Sequence, residues 1–162
     1  MTAVLWAVGV VVALALLVLV AVTVVMRTKS PRGLAVVRGF NRRFNNPRML
    51  RQAGKEGSPL AAVRHVGRRS GASYSTPIGV LPMGDDFLAI LSYGTGTDWL
   101  RNIEAAGSAD LVTDGRTHRV AADRVVGRPE AMPYLPAGQR PFVRLFGVTE
   151  FLVLRRVGAA QG

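Results

Sequence analysis

Two kinds of hydrophobic pattern divide the chain. From Ala3 to Met26 the residues read "AVLWAVGVVVALALLVLVAVTVVM", apolar throughout except for Gly9 and Thr23. From Leu60 onward the apolar residues come instead in short runs between turn signals. Leu60 to Val66 reads as a strand after "GKEGSP". In "SYSTPIGVLP", Tyr74, Thr76, Ile78 and Val80 fall on one face at period two, and Pro77 marks an edge or bulged position. "MGDD" turns the chain into an apolar strand, Phe87 to Tyr93. Thr97 or Asp98 then caps a helix whose Trp99, Ile103 and Ala106 share one side, and Gly107 stops it. Asp98 also suits the positive end of that helix. Ala109 to Thr113 and Thr117 to Val126 are two further strands joined at Asp114-Gly115, a hairpin dipeptide. A turn-rich piece from Pro129 leads to a short helix in "RPFVRLFG" and a last strand in "EFLVLRR". Six or so antiparallel strands, with a helix after the third, predict a mainly β domain with short helices, a small barrel or half-open sheet.

As a helix, the first apolar run rises about 36 Å, enough to cross a hydrocarbon core of ~30 Å with some tilt. A cleaved signal peptide needs a basic start, a shorter run and a small-residue cleavage site. No base precedes this run, and Val24-Val25-Met26-Arg27 is a poor cleavage site. The expectation is one retained transmembrane helix, residues 1–26.

Charge sharpens that picture. The net charge is +11 over 162 residues, but residues 27–55 alone carry nine bases and no acid. The remainder, with twelve bases and ten acids, is nearly balanced. The bases follow the C-terminal end of the apolar run, which places that side in the cytoplasm. A basic juxtamembrane arm, residues 27–56, is then expected against anionic lipid, each base near the surface contributing ~1 kcal/mol. An arm tethered beside a bilayer meets lipid before nucleic acid, so no nucleic-acid partner is expected. Val36, Phe40 and Phe44 recur at helical spacing, predicting a short interfacial helix from Pro31 that Pro47 ends. Residues 57–157 form the soluble domain and 158–162 a flexible tail. Arginine makes up nineteen of the 21 bases, which points to a GC-rich genome.

The chain has no cysteine, which excludes disulfides, zinc–thiolate sites and cysteine nucleophiles. Its two histidines, His65 and His118, have no carboxylate near them in sequence, so no metal site is expected. No Rossmann fingerprint, P-loop, HExxH or GxSxG occurs. The unexplained stretch is His65 to Gly71, "HVGRRSG". Arg68, Arg69 and Ser70 offer guanidinium forks and a hydroxyl, while Gly67 and Gly71 let backbone N–H groups face one concavity, chemistry suited to a phosphate. On these residues alone, an exposed basic hairpin turn is the simpler reading.

"GRRSG", then "YSTP" in the next strand, then "SYG…DWLRN" entering the helix, occur in order and at characteristic spacing. Over roughly Phe44 to Arg156, the chain resembles the deazaflavin (F420)-dependent nitroreductase and quinone reductase family, common in actinobacteria. The resemblance implies a split β-barrel of the flavin-reductase type and the coenzyme F420, an 8-hydroxy-5-deazaflavin. It also implies hydride transfer to a lipophilic acceptor such as a quinone or nitro compound. Split barrels of this kind often pair, so a homodimer is compatible with it.

The resemblance turns "GRRSG" into a grip for the coenzyme's phosphate and acidic tail. Arg64 is either a helper there or on the outer face. Tyr74 and Thr76 line the coenzyme groove or serve in cross-strand packing, and Pro77 shapes the strand so that its backbone meets the ligand. Trp99 and Asn102 share a helical face; Trp99 packs near the ring or anchors the core. Ser92 and Tyr93 are the catalytic candidates, placed to polarise a substrate oxygen, unless they merely cap a strand end. The segment where some relatives carry several tyrosines offers only Tyr134. A tethered, non-catalytic binder of deazaflavin, flavin or haem, and an FMN-dependent reductase of the same fold, are the alternatives.

Overall fold

The computed structural model describes residues 1–158. The expected tail, beyond Gly158, lies outside the described residues. Helix α1 (Thr2–Thr28) rises about 40 Å and is long and apolar enough to cross a membrane. It stands exposed from Val4 to Ala21, and only its last turns are covered, with Met26 buried.

Lys29, with φ 52°, ends α1 in the left-handed conformation that closes many helices. Ser30 then caps α2 (Pro31–Phe40), whose first residue is the proline. Gly33 lies against Val25 of α1, where a Cβ would sit 2.8 Å from the valine methyls. The helical path continues through a π-turn (Asn41–Asn45) into α3 (Asn46–Leu50). Pro47 therefore does not end the helix. The Asn46 N–H bonds back five residues to the Asn41 carbonyl, and Pro47 falls in the first turn of α3, where no N–H is needed.

This arm packs against protein. Leu34 is buried. The Lys29 Nζ donates to the Ser92 carbonyl at 2.8 Å, Arg38 Nη1 to the Gly96 carbonyl at 3.3 Å, and Asn41 Nδ2 to the Tyr93 hydroxyl at 2.7 Å. Burial lowers the Lys29 ammonium below its ordinary pKa, and nearby Glu150 pulls it partly back.

Six strands form a closed antiparallel barrel in the order β1-β2-β3-β6-β5-β4. They are β1 (Leu60–Val66), β2 (Ser73–Met83), β3 (Asp86–Ile90), β4 (Ala109–Thr113), β5 (Arg116–Gly127) and β6 (Glu150–Arg156). Pairing of Ala62 with Val112 closes β1 on β4. Pro77 sits opposite Ala62, in the part of β2 paired to β1; the pairs with β3 begin at Val80. Its missing N–H thus falls where β2 is locally an edge. The third strand stops at Ile90, short of Tyr93, because the chain turns there: Gly94, at φ +73°, donates to the Leu91 carbonyl at 2.9 Å.

Helix α4 (Asp98–Ala106) follows β3 and plugs one end of the barrel. Trp99, Leu100 and Ile103 join Val63, Leu111, Val120 and Leu154 in the interior core. A second core lies outside the β3–β6–β5 sheet. There Leu88, Val126, Phe151 and Val153 are covered by the segment between β5 and β6, through Ala131, Leu135, Val143 and Val148. That segment consists of α5 (Arg128–Ala131), two 3₁₀ turns (Met132–Tyr134 and Ala137–Gln139) and α6 (Arg140–Leu145). Both faces of β3 and β6 are therefore apolar, which is why these strands read as continuous apolar runs.

Candidate active site

A cleft of about 430 Å³ lies between the arm and the barrel, within the range of small-molecule sites. One wall is the turn after β1 with the start of β2: Gly67, Arg68, Arg69 and Ser70, then Tyr74, Ser75 and Thr76. The floor is His65 with Asp98, Trp99 and Asn102 of α4, and the opposite wall is Arg42, Asn46, Pro47 and Leu50 of the arm.

The turn is tightly built. Gly67 donates to the Ala72 carbonyl and accepts from Gly71, each at 2.8 Å. A Cβ at Gly67 would collide with Ser70 Oγ and the Tyr74 ring, and Gly71 has φ +66°, so both need glycine. Ser70 Oγ lies 3.1 Å from the Tyr74 hydroxyl.

The adjacent arginines have separate fates. Arg68 turns inward: its Nη1 donates to Asn102 Oδ1 at 2.8 Å and its Nη2 to Asp98 Oδ1 at 3.1 Å. Its backbone N–H also reaches Asn102 Oδ1, at 3.2 Å. Asp98 is 73% exposed on its side chain, so the ion pair itself contributes little, and the hydrogen bonds to Asn102 matter more. Arg69 lines the same cleft and forms no ion pair among the described residues.

The Asn102 contacts determine a proton inventory. Both Arg68 groups can only donate, so the Asn102 oxygen faces them and its NH₂ faces His65 Nδ1, 3.0 Å away. His65 Nδ1 must accept, so the neutral ring carries its proton on Nε2. That proton donates to Thr76 Oγ1 at 3.1 Å, leaving the Thr76 hydroxyl proton free for the cleft. Protonating His65 would set two donors face to face. Burial also pushes the His65 pKa below its ordinary value, against a weaker upward pull from Asp98.

Of the residues expected at a site, the cleft brings together Gly67, Arg68, Arg69, Ser70, Tyr74, Thr76, Trp99 and Asn102. Gly71 shapes the turn without lining it. Arg64 is exposed on β1, and Pro77 lies further along β2. Ser92 and Tyr93 stand outside the cleft and receive the arm, the first through its carbonyl and the second through its hydroxyl; burial pushes the Tyr93 pKa up. Tyr134 does not line the cleft either. Sequence reasoning missed Arg42, Asn46, Pro47, Leu50, Ser75 and Asp98 as lining residues, and it left His65 without a role. The period-two spacing of His65 with Val63 was the one available signal for its inward direction.

The donor set suits a large anionic coenzyme. Arg42, Arg69, Ser70 and Thr76 offer donors to phosphate and carboxylate, the Asp98 carboxylate is taken up by Arg68, and Pro47, Leu50 and Trp99 give apolar surface for a planar ring. No curated protein matches the sequence. Among solved structures, an F420-H2 dependent reductase aligns at 13% identity and TM-score 0.46, over 60% of this chain and 94% of that one. An Agrobacterium tumefaciens protein of unknown function aligns at 19% and 0.45, over 69% and 54%. An F420 reductase aligns at 13% and 0.41, over 67% and 92%. The profile of the F420H(2)-dependent quinone reductases matches residues 38–136. That match covers more than half of the chain and takes in both walls of the cleft, so the chain belongs to the F420H(2)-dependent quinone reductase family, oxidoreductases whose coenzyme is F420.

Proposed function

We propose that the chain is a membrane-anchored reductase that passes a hydride from reduced F420 to a lipophilic acceptor, a quinone or nitro compound, at the cytoplasmic face of the cell membrane. Residues 1–26 are its anchor, 27–56 a basic arm and 57–157 the coenzyme domain. One observation carries the reading: the arm that leaves the apolar helix α1 is also a wall of the cleft, through Arg42, Asn46, Pro47 and Leu50. An acceptor dissolved in the bilayer would reach such a site without a search through bulk water.

When bound, F420 supplies the hydride, and the protein supplies position and electrostatics. The Gly67, Arg68 and Gly71 N–H groups are already bonded within the protein, so the side chains of Arg69 and Ser70 would hold the phosphate and acidic tail, with Arg42 adding charge from across the cleft. Trp99, Pro47 and Leu50 would offer the apolar surface for the ring. Thr76 donates its hydroxyl, held in that role by neutral His65. Arg68 and Asn102 are positioning residues that tie the turn to α4. Gly71, Tyr74 and Pro77 shape the strand and turn around them, and Arg64, exposed on β1, stands outside the cleft. Ser92 and Tyr93 act at a distance by holding the arm in place.

The test is titration of the full chain in nanodiscs with oxidised F420 and, separately, with FMN, followed by oxidation of reduced F420 with a bilayer-soluble quinone. Micromolar or tighter F420 binding with quinone-dependent turnover is expected. Binding without turnover of any quinone or nitro acceptor would leave a tethered binding protein, and binding of FMN alone would change the enzyme class.

A further inference from the structure

Helix α6 carries an exposed apolar face that neither the cleft nor the core uses. Val143 is fully buried against the outer core and fixes how the helix is turned. Phe142 and Leu145 consequently point outward, 43% and 46% exposed. Arg144, between them in sequence, is exposed as well; Arg140 is exposed one turn earlier, its Nε donating to the Leu135 carbonyl at 3.1 Å, and no acid occurs between Ala131 and Thr149.

The position of this face is tied to the anchor. Arg27 Nη1 donates to the carbonyls of Arg144 and Leu145, at 3.2 and 3.1 Å, the last turn of α6. Gly147, just beyond, presses on Arg27 closely enough that a Cβ would lie 3.2 Å from Cγ. Arg27 is the first charged side chain after the apolar run of α1. The end of α6 therefore sits at the level where a spanning α1 would leave hydrocarbon and enter the headgroups.

We propose that Phe142 and Leu145, with Arg144 at their side and Arg27 at the end of α6, form a second membrane-contacting surface that seats the barrel on an anionic bilayer beside α1. Apolar side chains entering the acyl boundary with arginines reaching anionic headgroups is the ordinary chemistry of interfacial helices. The acid-free segment from 131 to 149 complements such a surface. It opposes a second copy of the same face, which would set arginine against arginine. This inference rests on α1 spanning the membrane, and it adds that the barrel is held rigidly at the surface by two elements, not swung from one.

The chain has no cysteine, so single labels can be placed cleanly. Full-length Phe142→Cys, Leu145→Cys, Leu14→Cys and Arg116→Cys variants would each carry an environment-sensitive fluorophore. They would be reconstituted in vesicles of equal parts phosphatidylcholine and phosphatidylglycerol, and quenched with iodide or with spin-labelled lipid. Labels at 142 and 145 should be quenched by shallow spin-labelled lipid and resist iodide several-fold better than the label at 116, in the distant β4–β5 hairpin. The label at 14 should answer to deep spin-labelled lipid. Iodide access at 142 and 145 equal to that at 116, with 14 still deep, would overturn this seat and leave the anchor standing. Shielding from both quenchers would also overturn it, by assigning the face to a protein partner. A label at 14 that stays in water would overturn the anchor and this inference together.

Discussion

The two walls of the cleft are held by different means. On the barrel side the polar groups form one network, in which Asn102 takes Arg68 at its oxygen and His65 at its nitrogen, and His65 reaches Thr76. Every member stands on a strand, a tight turn or a helix that contributes to the interior core. On the arm side, Arg42 and Asn46 stand on a helix fixed by Leu34 and by contacts to the β3–α4 loop, two of them to backbone carbonyls. A network buried in low dielectric fixes proton positions as well as atoms. A helix held largely by hydrogen bonds to carbonyls is positioned but not chemically specified. The barrel wall is thus the one suited to fixing the coenzyme's polar groups, while the arm wall, which adds Arg42, Pro47 and Leu50, also sets what may approach it.

The strongest way to break this contrast is Asn102→Leu. It strands His65 Nδ1 and removes the Arg68 acceptor, so stability should fall by roughly 2–4 kcal/mol, at about 1–3 kcal/mol for the buried nitrogen and about 1 kcal/mol for the arginine, which water can reach. F420 affinity should fall with it; thermal unfolding in detergent and coenzyme titration would read the two losses. Arg69→Glu should lower F420 affinity at least about 10-fold, since a charged hydrogen bond is worth ~1.5–3 kcal/mol, with no change in Tm. An equal Tm loss in Arg69→Glu would mean that both arginines are structural.

Two smaller effects sharpen the contrast. The His65 pKa is lowered by folding, so the unfolded chain binds its proton first as pH falls. Stability should be flat above the ordinary imidazole value of ~6.5 and decline below it until the lower folded value is reached. His118, packed on Phe87 and lowered mainly by burial, adds a decline of the same sign. His65→Gln should therefore keep only the His118 share of a Tm-against-pH profile from 8 to 5; an unchanged profile would remove His65 from the account. Asn102→Asp offers Nδ1 an acceptor and should instead raise the His65 pKa, visible in ring ¹⁵N shifts. On the arm side, Tyr93→Phe deletes only the bond from Asn41 and should cost about 1 kcal/mol or less. Its effect should fall more on acceptor turnover than on F420 affinity, and both losses should be smaller than those of Asn102→Leu.

The strands and α4 were legible because each obeys a local rule: alternation in β2, Asp114-Gly115 at the hairpin, Gly107 after the helix. The basic turn was legible as chemistry, yet nothing local separates Arg68 from Arg69. Their division depends on Asn102, 34 positions along the chain. The arm was the larger gap. Val36, Phe40 and Phe44 gave an amphipathic pattern, and such a pattern does not say whether lipid or protein lies opposite; they remain exposed while Leu34 is buried in protein. Pro47 looked like a stop because the π-turn that admits it has no sequence signature.

The strand order bears on how the molecule is made. β6 comes last in the chain but lies between β3 and β5. Until it emerges, the other strands can form only an open five-stranded sheet, with both faces of β3 apolar and its far edge unpaired. Roughly 120 residues separate the end of α1 from β6, about 6–25 s of synthesis at 5–20 residues per second. On the proposed anchoring, a nascent chain whose α1 has entered the bilayer would spend that interval tethered beside it with the barrel unclosed, and membrane insertion would precede, and confine, the final folding step.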